Sequence, residues 1–214
     1  MKKLNFKYIF FDLDGTLTAS ADGIVKSYQA AIKKVTGKEY DLNSLMSCIG
    51  PPTEDNFKRL GFNEDEISEC VKVYREIYLK DGVYQSDPFD GIEDVLKYLK
   101  DQNKILCVAT SKLEYVAKLT LDHYDISKYF DFVAGGDVTR NEKSLVIEYI
   151  IEKLNIKDKN EIIMIGDTKY DIIGAKKAGV PSMGVMYGYG DNEELISCNA
   201  DYYINEVEDY KKVF

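Results

Sequence analysis

Short apolar runs recur along the chain and set its frame. Tyr8-Ile9-Phe10-Phe11-Asp12, Lys104-Ile105-Leu106-Cys107-Val108-Ala109, Phe130-Asp131-Phe132-Val133-Ala134 and Glu161-Ile162-Ile163-Met164-Ile165 read as strands. Ser182-Met183-Gly184-Val185 and Asp201-Tyr202-Tyr203-Ile204 are weaker candidates. Nearly continuous runs of this kind suit parallel strands whose sheet is covered by helices on both faces. Between them apolar residues recur at helical spacing. Ile92, Val95, Leu96 and Leu99 share one face of a helix predicted over 91–100, and similar patterns cover 114–123 and 144–154. A shorter helix over 171–178 stops at Gly179, a residue suited to the left-handed turn that closes a helix. The alternation predicts an α/β fold built on a doubly wound parallel sheet.

One interval breaks the alternation. Between about residues 18 and 86 no strand pattern occurs; helical patterns cover 22–36, 43–48, 53–60 and 64–80, punctuated by Gly37, Gly50-Pro51-Pro52 and Gly61. The reading is an all-helical insertion between the first and second strands. It divides the chain into a core, residues 1–17 and 87–214, and a helical cap, residues 18–86.

Composition narrows the function. The 214 residues are 45% hydrophobic and 30% charged, with a formal net charge of −9. This is ordinary globular composition, and the acidic balance argues against a nucleic-acid polymer or an anionic membrane as partner. It leaves room for a small anionic substrate, since a local site can differ from the whole surface. No apolar run approaches the roughly 20 residues of a membrane span. The start, Met1-Lys2-Lys3, is basic, but Tyr8-Ile9-Phe10-Phe11 is too short for a signal-peptide core. Four scattered cysteines and a single histidine offer neither a zinc site nor a disulfide framework, and they read as reduced thiols of a cytoplasmic protein.

The chemistry gathers at strand ends. The first strand exits through Asp12-Leu13-Asp14-Gly15-Thr16-Leu17. Two carboxylates two residues apart on extended chain point to one side, at the edge where open α/β sheets bind ligands; a plain strand-to-turn exit would use the same residue types. The fourth strand exits through Gly166-Asp167-Thr168-Lys169-Tyr170-Asp171, where Asp171 also reads as an acid in the first turn of a helix. Asp12, Asp14 and Asp167 then converge, and their repulsion calls for a hard divalent cation, Mg²⁺ suiting a site with few carboxylates. Thr110 and Ser111 follow the second strand and offer hydroxyls and backbone N–H groups at a helix start, a cradle for an anion or simply a helix cap. Lys143 follows the third strand and, taken alone, reads as a solvated surface lysine. His123 reads as a loop or helix-end residue. Together these residues suit phosphoryl transfer: Asp12 as nucleophile, Asp14 as proton donor and acceptor, Mg²⁺, Thr110 and Lys143 against the developing charge.

With those motifs in place the chain resembles the haloacid dehalogenase superfamily, in particular its phosphoglycolate-phosphatase-like and 5′-nucleotidase-like hydrolases with a helical cap after the first strand. The resemblance runs over essentially the whole chain. It implies Asp12 as nucleophile and metal ligand, and Asp14 as acid/base whose backbone carbonyl also binds the metal. It implies Thr110 and Lys143 as phosphate holders, Asp167 as completing the metal site, and Asp171 as orienting Lys143 or a metal-bound water. Asp14 counts against dehalogenation, because the dehalogenases of this superfamily do not keep the second Asp. The resemblance also implies that the insertion is a lid with hinges near 18–21 and 85–88, with the Ile49-Gly50-Pro51-Pro52-Thr53 segment facing the substrate. Lys58 or Arg59 would reach a second substrate charge or else be solvated helix face. Tyr187-Gly188-Tyr189-Gly190 would edge the pocket or be a turn with packed rings, and stays outside the candidate site. The expected partner is a small phosphomonoester. The alternatives are a phosphotransferase resembling β-phosphoglucomutase and, outside enzymes, a phospho-accepting signalling module.

Overall fold

Alternate residues of the first strand face opposite sides of one sheet, and each side has its own cover. The computed structural model describes residues 3–214; Met1 and Lys2, which open the basic start, lie outside the described residues. The chain runs β1 (Tyr8–Phe11), α1 (Ala21–Thr36), α2 (Thr53–Arg59), α3 (Glu64–Lys80), α4 (Ile92–Asp101), β2 (Ile105–Leu113), α5 (Glu114–His123), β3 (Phe132–Gly136), α6 (Lys143–Lys153), β4 (Ile162–Gly166), α7 (Lys169–Ala178), β5 (Ser182–Val185), α8 (Asn192–Ser197), β6 (Tyr202–Ile204) and α9 (Asp209–Val213), with short 3₁₀ turns that include Asn43–Cys48 and Gly82–Tyr84. Ile9 and Phe11 pack with Leu96 of α4, Leu121 of α5 and Tyr210 of α9. Tyr8 and Phe10 pack with Val146 and Ile150 of α6 and Ala175 of α7. Period-two alternation thus serves two apolar layers, as a doubly covered sheet requires.

Among the described residues six strands lie in the order β3-β2-β1-β4-β5-β6, and every pairing between them is parallel. β1 is central, with Phe11 opposite Val108 on one side and Ile165 on the other. The order reverses beside β1, and the carboxyl ends flanking such a reversal are where this architecture places its ligand crevice. Asp12 and Asp167 follow β1 and β4 at that point.

The insertion carries its own apolar core. Ile24, Tyr28 and Ile32 of α1, Phe57 of α2, and Cys70, Val71 and Tyr74 of α3 are buried together. Helix α3 starts with a capping box in which Asn63 and Glu66 exchange hydrogen bonds. The two segments joining this unit to the sheet run side by side. Ala19 N–H donates to Asp87 O at 2.7 Å, and Phe89 N–H donates to Leu17 O at 3.0 Å.

Two expected boundaries shift in a way that matters for the site. β2 does not stop at Ala109; it continues to Leu113, with a register shift against β3 between those residues. Thr110 and Ser111 therefore sit in an irregular strand end, and α5 begins only at Glu114, so the cradle is not a helix start. β3 runs Phe132–Gly136 rather than 130–134. Asp131 is diverted to β2 by its side chain, which accepts from the Leu106 N–H at 2.9 Å. At the other end Leu113 pairs with Gly136, extending both strands together.

Candidate active site

Asp12 continues the parity of Tyr8 and Phe10, so its carboxylate faces the side covered by α6 and α7. Lys143, the first residue of α6, meets it there: Nζ lies 2.8 Å from Asp12 Oδ1 and 2.8 Å from Asp171 Oδ1, and donates to Ala109 O at 2.9 Å. The solvated-lysine reading of Lys143 is thereby corrected, for only 5% of the residue is exposed. Burial opposes its charge, but Asp12 and Asp171 outweigh burial and hold the ammonium above the usual lysine range. Asp171 belongs to the first turn of α7, where its other oxygen accepts from Thr168 N–H at 3.0 Å and Thr168 Oγ1 at 2.8 Å. Gly166 makes room for it: a Cβ there would stand 2.1 Å from Asp171 Cγ.

Asp167 is enclosed by backbone. Oδ2 accepts from Tyr189 N–H at 2.8 Å and Gly190 N–H at 3.2 Å, and Oδ1 accepts from Thr16 Oγ1 at 3.2 Å. Gly15, at φ +82°, lets the loop after Asp14 lie flat on this carboxylate, since a Cβ there would fall 2.2 Å from Oδ2. The turn 187–190, left outside the candidate site by the sequence reading, thus holds Asp167 in place.

Oxygens of Asp12, Asp167 and Asp171 all lie within 4.8 Å of one another, and all three residues are buried. Burial is the main cause that lifts Asp167 to about 8, reinforced by Asp171 and Asp12. Burial also lifts Asp12, to about 6, against the pull of Lys143. Ionising all three buried carboxylates against one ammonium would leave an excess of negative charge, and hard oxygen donors at this spacing fit the divalent cation that would offset it.

Asp14 turns the other way. Its Oδ1 accepts from Lys112 Nζ at 2.7 Å, and Lys112 also donates to the Tyr78 hydroxyl of α3 at 2.6 Å. The side chain of Asp14 therefore stands apart from the carboxylate cluster. Lys112 and Tyr78 carried no role in the sequence reading. Lys112 is the residue after Thr110-Ser111 and was legible as a neighbour of the motif, whereas Tyr78 reads from its spacing to Tyr74 as ordinary helix core.

A cavity of about 500 Å³ opens between the sheet edge and the helical insertion, walled by Asp12, Asp14, Thr110, Ser111 and Lys112 below and by Pro51, Tyr74, Arg75 and Tyr78 above. Lys143, Asp167 and Asp171 stand behind this wall, not in it. Thr110 is buried and its hydroxyl accepts from Lys112 N–H at 3.2 Å. Arg59, considered for a second substrate charge, binds Ser47 O and Asn56 Oδ1, each at 2.7 Å, and is absent from the wall together with Lys58; Arg75 and Arg140 are present. His123 ends α5 and packs edge-on against Tyr84 and Tyr124.

Residues 9–185 match the model of the haloacid dehalogenase-like hydrolase family. The chain belongs to that family. It is 34% identical over 213 residues to a 5′-nucleotidase of Pseudomonas aeruginosa, covering 98% of this chain and 96% of the relative. It is 31% identical over 185 residues to a phosphoglycolate phosphatase of Aquifex aeolicus, covering 86% of each. The crystal structure of a predicted phosphatase from Clostridium acetobutylicum superposes with a TM-score of 0.92 at 40% identity, covering 98% of this chain and 99% of the other. The family membership makes this protein an enzyme, and these relatives are phosphatases.

Proposed function

We propose that the protein is a Mg²⁺-dependent phosphomonoester hydrolase that works through an aspartyl-phosphate on Asp12. The observation that carries this reading is that Asp12 and Asp14, two residues apart, both face the cavity while Lys143 and the other carboxylates close in behind Asp12. The Asp12 carboxylate attacks phosphorus in line, the bond from phosphorus to the ester oxygen breaks, and Asp14 gives that oxygen its proton. Asp14 then takes a proton from water as it attacks the acyl phosphate, releasing inorganic phosphate and restoring Asp12. Thr110 and Ser111 in the wall hold the phosphoryl oxygens, and Lys143, directly behind Asp12, meets them once the phosphoryl group is on that carboxylate. Asp12 and Asp167, with the Asp14 main chain, would hold the Mg²⁺, which supplies charge neutralisation and a template for the phosphate; Asp171 positions Lys143. Residues 18–86 form the cap and the rest the catalytic core, in a cytoplasmic protein.

The substrate is a small phosphorylated metabolite. Both phosphoglycolate and a nucleoside monophosphate agree with the relatives' activities. The aromatic wall of Tyr28, Tyr74, Tyr78 and Tyr115 around a cavity of this size favours the nucleoside. A single-turnover assay tests the mechanism: Asp12→Asn should hydrolyse no p-nitrophenyl phosphate, and retained activity removes Asp12 as nucleophile. Comparing kcat/KM for phosphoglycolate and nucleoside monophosphates tests the substrate.

A further inference from the structure

Among the described residues, the carboxyl of Asp14 accepts from a single donor, Lys112 Nζ at 2.7 Å. Asp12 is fixed differently, by Lys143 and by the Leu13 N–H at 2.7 Å. Lys112 in turn has a second partner, the Tyr78 hydroxyl at 2.6 Å, with its ammonium also 4.8 Å from the centre of that ring. The ion pair is enclosed, 8% of the Lys112 side chain and 11% of the Asp14 side chain being exposed. Lys112 and Asp14 come from the sheet edge; Tyr78 comes from α3 in the insertion. The orientation of Asp14 thus depends on a lysine whose own position depends on the helix above the cavity.

The helix end of this contact is packed into a column of rings. Tyr78 stacks on Tyr74 with ring centres 5.6 Å apart and planes 12° apart, and Tyr74 lies 4.3 Å from Tyr28. The Tyr28 hydroxyl accepts from Asn56 Nδ2 at 2.8 Å, and the same amide donates to Cys48 O at 2.7 Å and Pro51 O at 3.3 Å. Pro51 and Pro52 line the cavity. A packed column of tyrosines therefore joins the loop at one end of the cavity to the lysine at the other. Buried networks of packed rings and hydrogen bonds favour one arrangement of their members.

We propose that Lys112 and Tyr78 are positioning residues for Asp14: together they aim its carboxyl at the ester oxygen when α3 lies over the cavity. This rests on Asp14 being the proton-transfer group of the reaction above.

A purely structural ion pair and a positioning one differ in how loss depends on the leaving group. Proton donation contributes about 10²–10⁴-fold where the departing oxygen is weakly acidic, and much less for p-nitrophenolate, which leaves readily without a proton. The experiment is kcat/KM, which reports the bond-breaking step, for p-nitrophenyl phosphate and for an alkyl phosphate such as a nucleoside monophosphate. Wild-type activity on both, with Asp14→Asn slowed mainly on the alkyl ester, establishes the underlying reading, and its absence removes that reading. With that control in place, Lys112→Met should lose at least about tenfold more on the alkyl ester than on the aryl ester. Tyr78→Phe, which keeps the ring and its packing, should show the same bias more weakly at an unchanged melting temperature, and Lys112→Arg should restore part of it. Equal losses on both esters, or unchanged kinetics in Tyr78→Phe and Lys112→Met, overturn the proposal alone.

Discussion

Lys143 Nζ stands 2.8 Å from Asp12 Oδ1, bridging the first strand and the sixth helix in a setting almost closed to water. The same ammonium reaches Asp171 at 2.8 Å. One positive charge thus serves two carboxylates, and its loss would be felt by both.

Replacing that charge is the first prediction. Lys143→Met should lower stability by about 3–5 kcal/mol at neutral pH, the usual result of removing one partner from a buried ion pair. The loss should shrink in acid, where the freed carboxylates take up protons. Activity should fall by about 10²-fold or more, since a charged donor beside the reacting phosphoryl is gone. Thermal melts across pH and phosphatase assays on the same samples check both parts.

The carboxylate cluster predicts a coupling of metal and pH. Asp167 rises to about 8 and Asp12 to about 6, both chiefly through burial. Their folded values exceed the ordinary carboxylate value, so between about pH 4 and 8 the folded chain holds protons that the unfolded chain has lost. Stability then falls as pH rises through that window in chelator-treated protein. Bound Mg²⁺ supplies the missing positive charge, so the melting-temperature gain on adding it should be larger at about pH 8 than at about pH 5. An equal gain at both would mean that these carboxylates do not hold the ion.

Gly15 permits the third. A methyl group there would stand 2.2 Å from Asp167 Oδ2, on a backbone at φ +82°. Gly15→Ala should cost about 1–3 kcal/mol in backbone strain alone and should push Asp167 out of its cradle. The readouts are a lower melting temperature and a higher Mg²⁺ midpoint for activity. An unchanged Mg²⁺ midpoint would mean that Asp167 is not a ligand.

The cysteines give the fourth. Cys48, Cys70 and Cys107 are buried and Cys198 is half-buried, all as free thiols. Burial pushes the Cys48 thiol up to about 11 and raises Cys70 and Cys107 as well, so these resist a thiolate-selective reagent. Titration should find one reactive group in the native protein and four after denaturation.

Much of the fold was legible because its signals are local. Continuous apolar runs gave the strands, and the helical periods at 64–80 and 114–123 match the observed α3 (Glu64–Lys80) and α5 (Glu114–His123). The strand-end motif Asp12-Leu13-Asp14-Gly15 and the pair Asp167 and Asp171 were visible for the same reason, as polar groups directly after apolar runs. Lys143 was harder. Nothing around it in the chain says that β1 and α7 will bring two carboxylates to its ammonium.

The sequence by itself determined the period of each element, the strand exits that carry chemistry, and the interval without strands. These follow from side-chain spacing and backbone preference, which act over a few residues. Only the tertiary structure decided that Thr110 and Ser111 lie in a strand irregularity, that the turn 187–190 grips Asp167, that Arg59 braces its own loop, and that Tyr78 reaches Lys112. Each of these is a contact between segments far apart in the chain, set by strand order and by how the helical insertion sits over the sheet. Side-chain spacing has no access to such distances until the chain has folded.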